Sequence, residues 1–142
     1  FKLLFCCIIN NVKKMVSIIK IFEENSKASW FVALLIAIAI FYIYSLTFAP
    51  GPPAKIFDIK PILYHIFSFF FLTFFILFAL VKGEKKDFLF IAILIALMYG
   101  ISDEFHQLFV MGRSCSFSDF LLDSAGILTA SLIYIFSLKF RR

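Results

Sequence analysis

The chain has 142 residues, 63% of them hydrophobic and 22 of them Phe, with 16% charged residues and a formal net charge of +5. Soluble domains are about 45–50% apolar and need a polar surface, so this excess excludes an ordinary soluble globule and points to an integral membrane protein. The positive balance reads as orientation in a bilayer, not nucleic-acid binding, because no basic patch alternates with aromatics as a nucleic-acid reader requires.

Residues 1–29 read as a cytoplasmic amphipathic lead-in. FKLLFCCII is too short to span, adjacent Cys6 and Cys7 cannot easily bridge each other, and bulky Phe5 argues against a lipoprotein cleavage site. Met15 opens MVSIIKIFEENSKASW, and the biological start is expected near it, unless the chain is a fragment; a cleaved signal peptide is the lesser alternative.

Residues 30–138 form the membrane domain, since a crossing helix needs about 20 mostly apolar residues. The first span is Trp30 to Phe48, with Trp30, Tyr42 and Tyr44 suited to interfaces, and PGPP (Pro50 to Pro53) cannot continue it. The second runs from Ile62 to Val81, opened by Pro61 at a first-turn position. KGEKKD, Lys82 to Asp87, is a charged hairpin loop before the third span, Phe88 to Val110. The fourth runs from Asp119 or Phe120 to Leu138, and residues 139–142 are a basic cytoplasmic tail. The segments are apolar nearly all round, which gives an all-α polytopic membrane protein with four transmembrane helices.

Lys and Arg divide unequally between the two sides. Eleven fall before the first span, between spans two and three, or after span four, against Lys55, Lys60 and Arg113 on the other side. The positive-inside rule then places both termini in the cytoplasm, and the assignment holds when residues before Met15 are left out.

The exception to the apolar pattern is GISDEFHQLFVMGRSCSFSDFLLDSAG, Gly100 to Gly126. In the four-span topology its polar residues, together with His65 and Lys60, converge on the outer face. Asp103, His106 and Gln107 stand at i, i+3 and i+4 and share a helical face, while Glu104 points a quarter-turn away. Asp119 and Asp123 lie four apart, and Gly126 and Ala130 continue a stripe that allows close helix approach. Gly112 supplies a tight turn from which Arg113 can fold back onto a carboxylate. Ionisable groups in a membrane segment cost about 2.5–3.5 kcal/mol each at its centre, so they need partners, water or a ligand.

Bland readings stand beside these. Asp119 reads first as an N-cap, Lys60 as a snorkelling lysine, and Asp103, Glu104 and Gln107 as an interhelical clamp. Acid–base work by Asp103 or Glu104 with His106 is chemically open. DEFHQ is not HExxH, the cysteines show no metal-type spacing and no GxSxG elbow occurs, so neither a metal nor another cofactor is expected.

The window SDEFHQLFVMGRSCSFSDFLLDSAG resembles the VanZ-like family of small membrane proteins. That family's pattern runs approximately Asp-Glu-x-x-Gln, then f-v-p-g-R, then an Asp and a later Asn or Asp before Gly. It is matched here by Asp103, Glu104, Gln107, FVMGR ending at Arg113, Asp119, Asp123 and Gly126. Met111 stands where Pro is usual and Asp123 where Asn is more frequent. An upstream D-K-x-x-H-x-x-x-Y pattern is met loosely by DIKPILYHIFSFF, with Ile59 splitting Asp58 from Lys60, His65 displaced by two residues and Phe69 at the Tyr position. The likeness covers Leu46 to Ser131.

What the resemblance implies is a polytopic envelope protein; the family's namesake is linked with low-level resistance to the glycopeptide teicoplanin. The expected function is binding of an anionic or amphiphilic envelope ligand, or a membrane lipid, by Gln107, Arg113, Asp119, Asp123, His65 and Lys60. The alternatives are an acid–base enzyme on a lipid-linked substrate, using Asp103, Glu104 and His106, and a structural partner with a polar clamp.

Overall fold

A computed structural model of the chain describes residues 2–46, 59–83, 85–113 and 115–140, with side chains from residue 10 onward. The described residues form five helices: α1 (Lys2–Glu24), α2 (Ser26–Ser45), α3 (Ile59–Val81), α4 (Phe88–Gln107) and α5 (Phe117–Lys139). The last four are long and apolar enough to cross a membrane. The protein is therefore an all-α chain with four membrane-spanning helices. Phe48, the PGPP stretch, Lys55, Asp58 and Ser114 lie outside the described residues.

Helix ends differ from the sequence expectation for local reasons. α3 starts before Pro61, because a proline in the first turn removes only an N–H that has no intrahelical partner anyway. α4 stops at Gln107, short of Val110. Beyond it the backbone tightens, with Phe109 N–H donating to His106 O at 3.0 Å and Val110 N–H to Gln107 O at 3.2 Å. Leu108, Phe109 and Val110 in this tight turn are apolar, so hydropathy alone carried the span past the helix end. Gly112, at φ 83°, takes the left-handed position of the Val110–Arg113 turn, closed by Arg113 N–H to Val110 O. α5 begins at Phe117, and its cap is Ser116, whose Oγ accepts from Asp119 N–H at 3.3 Å. Asp119 thus sits in the first turn as a charge at the positive helix end, and the capping expected of it belongs to Ser116.

α3 is the central helix and packs against all four others, most extensively against α5. α3 and α5 approach each other tightly at Gly126, where an added Cβ would lie 2.3 Å from Ile66 O. Gly126 has no side chain to hold the backbones apart, which is how small residues let membrane helices approach. Phe69, Leu72, Ile76 and Leu77 of α3 meet Ala92 and Ala96 of α4 and Ile127 and Tyr134 of α5 in one apolar core. The outer faces carry Phe31, Leu34 and Ile38 of α2, Phe90 of α4 and Leu128 and Leu132 of α5, all exposed. Apolar side chains facing outward on spanning helices are matched to lipid.

α1 continues without a break through Met15 and lies against α3: Ile19 is buried and the Phe22 ring packs edge-on to Phe75 at 5.3 Å. At this end of the bundle Tyr134 Oη donates to the buried Glu23 carboxylate and accepts from Gly83 N–H. The lead-in is therefore docked onto the spanning helices through both rings and a buried polar link.

Candidate functional site

At the opposite end α2 and α4 finish and α3 and α5 begin. There α3 contributes His65, α4 contributes Asp103, Glu104 and Gln107, and α5 contributes Asp123. These five polar side chains range from 0% to 5% exposed. Such burial is tolerated only with hydrogen-bond or charge partners.

The partners come mostly from other helices or from the next turn. His65 Nδ1 donates to Asp123 Oδ1 at 2.9 Å, and His65 Nε2 lies 3.8 Å from Asp119 Oδ2. Gln107 Nε2 donates to Asp103 Oδ2 at 2.9 Å and reaches Glu104 Oε1 at 3.4 Å. The i, i+3 and i+4 spacing on α4 makes that arrangement local. Glu104 Oε2 also accepts from Ser116 N–H at 2.8 Å, so the carboxylate ties the end of α4 to the cap of α5. A ring nitrogen of His65 and carboxylate oxygens of Glu104 and Asp123 all lie within 4.8 Å of one another.

His106 goes elsewhere. It is half-buried against α2, with Nε2 2.9 Å from Ser45 Oγ and its ring stacked on Phe41 at 4.3 Å. Among the described residues it makes no hydrogen bond to Asp103 or Glu104. Sharing an arc with Asp103 and Gln107 is not enough, because α2 covers one side of that arc and α3 and α5 the other. His65 is the histidine that the fold brings to the acids.

Tyr44 is the residue that sequence reasoning missed. It was suited to an interface beside Tyr42, yet Tyr42 is exposed and Tyr44 is buried. Two residues apart on a helix point to nearly opposite sides, and only one side meets α3. The Tyr44 ring lies 5.0 Å from His65, 5.6 Å from Tyr64 and 5.5 Å beneath the Arg113 guanidinium. That places Arg113 at the same end by a cation–π contact. Ser45 and Ser116 were also missed; Ser45 carries no sequence signal beyond its hydroxyl, whereas Ser116 three residues before Asp119 and an apolar run has the spacing of a capping box.

Lys60 is exposed in the first turn of α3. It lines a shallow apolar groove with Leu63, Tyr64, Phe67 and Phe71 of α3 and Ile36 of α2. Tyr64 connects the groove to Tyr44 and so to the buried cluster.

Three buried polar oxygens have no hydrogen-bond partner among the described residues: Tyr44 Oη, Asp103 Oδ1 and Asp123 Oδ2. All three belong to this end of the bundle. An unsatisfied buried polar atom costs about 1–3 kcal/mol, and these three oxygens keep hydrogen-bonding capacity that the described side chains do not use.

Comparison with curated proteins and with solved structures found no match. The VanZ/LLP1 family model matches residues 17–138, from the second half of α1 almost to the end of α5. Its span covers the four apolar helices and every polar residue of the cluster, and the chain belongs to the VanZ/LLP1 family.

Proposed function

We propose that this protein sits in the cell membrane with both termini cytoplasmic, and that its polar end faces outward to bind an anionic or amphiphilic envelope ligand. The observation carrying this reading is the burial of five polar side chains from three helices at one end of an otherwise apolar bundle. Arg113 over Tyr44 and Lys60 at the groove supply positive charge for a phosphate or carboxylate. The groove beside Lys60 suits an acyl or prenyl chain, which is why an amphiphile is favoured over a free anion. Asp103, Glu104, Gln107 and the His65–Asp123–Asp119 group orient polar parts of the ligand. Any contribution to teicoplanin resistance would act through such a ligand.

Native mass spectrometry of the detergent-purified protein tests this. A co-purifying lipid or glycan should be retained by the wild type and depleted in Arg113→Ala at unchanged thermal stability. Absence of any retained species, or a loss of stability with retention unchanged, would favour a structural clamp.

One observation favours a second reading, an acid–base enzyme on a lipid-linked substrate. The buried His65–Asp123 pair is the arrangement that orients an imidazole for proton transfer. In that reading His65 takes the role expected of His106. His65→Gln would abolish turnover of added lipid-linked substrates while the protein stays inserted in the membrane.

A further inference from the structure

We infer that His65, Glu104 and Asp123 bind one divalent first-row metal ion. One ligand atom from each lies within 4.8 Å of the other two, and all three residues are buried. Ligands sharing an ion at about 2.0–2.2 Å stand roughly 3–4 Å apart, so side-chain adjustments of about an ångström close the site. One imidazole with carboxylates suits a borderline ion such as Zn2+ or Mn2+, whereas Ca2+ and Mg2+ favour all-oxygen shells.

Two further observations point to a ligand. Asp123 is fully buried and spends only Oδ1 on His65; its Oδ2 has no hydrogen-bond partner among the described residues. Asp103, beside Glu104 on α4, has the same half-used carboxylate, with Oδ2 on Gln107 and Oδ1 unpartnered. A divalent ion supplies the positive charge and the lone-pair acceptor that Asp123 Oδ2 needs, and it takes the place of the proton between His65 Nδ1 and Asp123 Oδ1, which is released on binding. The outer contacts are also those of a metal site. Gln107 reaches Glu104 Oε1, and Ser116 N–H holds Glu104 Oε2, which fixes the direction of that carboxylate. Three protein ligands leave the remaining positions to water or to an anionic oxygen. The sequence showed no ligand spacing because His65 and Asp123 lie 58 residues apart and meet only through α3–α5 packing.

The ion site occupies the same end as the proposed ligand site but does not depend on an envelope ligand; its failure would leave the retention experiment above untouched. The test uses the full chain in detergent, stripped with a chelator and dialysed against Zn2+ or, separately, Mn2+. Elemental analysis should find one ion per chain. Pulsed EPR of the Mn2+-loaded protein should show nitrogen coupling from one histidine, and this coupling should persist in His106→Ala. Asp123→Asn and His65→Ala should each weaken Zn2+ binding at least roughly tenfold. If either variant fails to fold, the wild-type stoichiometry and the EPR coupling still decide. No saturable binding of either ion to the wild type, or nitrogen coupling that disappears with His106 instead of His65, would overturn the inference.

Discussion

His65 and Asp123 hold the two most closely packed spanning helices together at their polar end, with Nδ1 and Oδ1 2.9 Å apart and both side chains buried. The pair lies near the contact of Gly126 with the α3 backbone at Ile66, so the polar bond and the tight apolar approach reinforce one register. Removing one member leaves the other without its partner in a low-dielectric interior, a loss of about 3–5 kcal/mol when the pair is ionic. His65→Ala and Asp123→Ala should therefore both melt well below the wild type in detergent. Asp123→Asn should lose less, because its amide oxygen still accepts the imidazole N–H.

Gly126→Ala should be destabilising by about 1–3 kcal/mol, since its Cβ would meet backbone at 2.3 Å and the helices must part. Gly100→Ala is the contrasting variant. Its nearest neighbour would be a Phe69 ring carbon at 3.4 Å, an ordinary contact, and alanine favours a helix by about 1 kcal/mol. Thermal melts of the two proteins should move in opposite directions, or Gly126→Ala alone should fall.

Glu104→Ala should loosen the connection between α4 and α5. The bond from Ser116 N–H to its carboxylate is charge-assisted, worth about 1.5–3 kcal/mol, and loss of that amount accelerates exchange roughly ten- to a hundredfold. Hydrogen–deuterium exchange should show faster labelling confined to the segment from 108 to 119. Glu104→Gln should retain most of the protection because an amide oxygen still accepts.

Cys115 is exposed at the polar end and reports orientation directly. With Cys6 and Cys7 replaced by serine, a membrane-impermeant maleimide should label Cys115 in intact cells. A cysteine placed at Lys85, at the other end, should react only after permeabilisation. Labelling in the reverse order would place the polar cluster on the cytoplasmic side and remove the proposed envelope ligand.

Much of this architecture was legible from residue order. Four apolar runs of membrane length, broken by PGPP, by KGEKKD and by the polar window, set the number of spanning helices. The spacing of Asp103 and Gln107 placed them on one helical face, and Gln107 Nε2 bonds Asp103 and reaches Glu104 because an α-helix makes i, i+3 and i+4 neighbours without any help from the rest of the fold. Helix ends were less legible: Val110 is as apolar as the residues before it, and nothing in hydropathy marks the tight turn that follows Gln107.

The partnering of helices was decided elsewhere. Which of two histidines meets the acids and whether Tyr42 or Tyr44 turns inward each depend on the rotation of one helix against another. Hydrophobicity specifies that a segment enters the bilayer, and lipid is equally content with any apolar face. The choice of inward face comes from close packing, here from Gly126 against Ile66, and from the need of buried polar atoms to find one another across helices far apart in the chain.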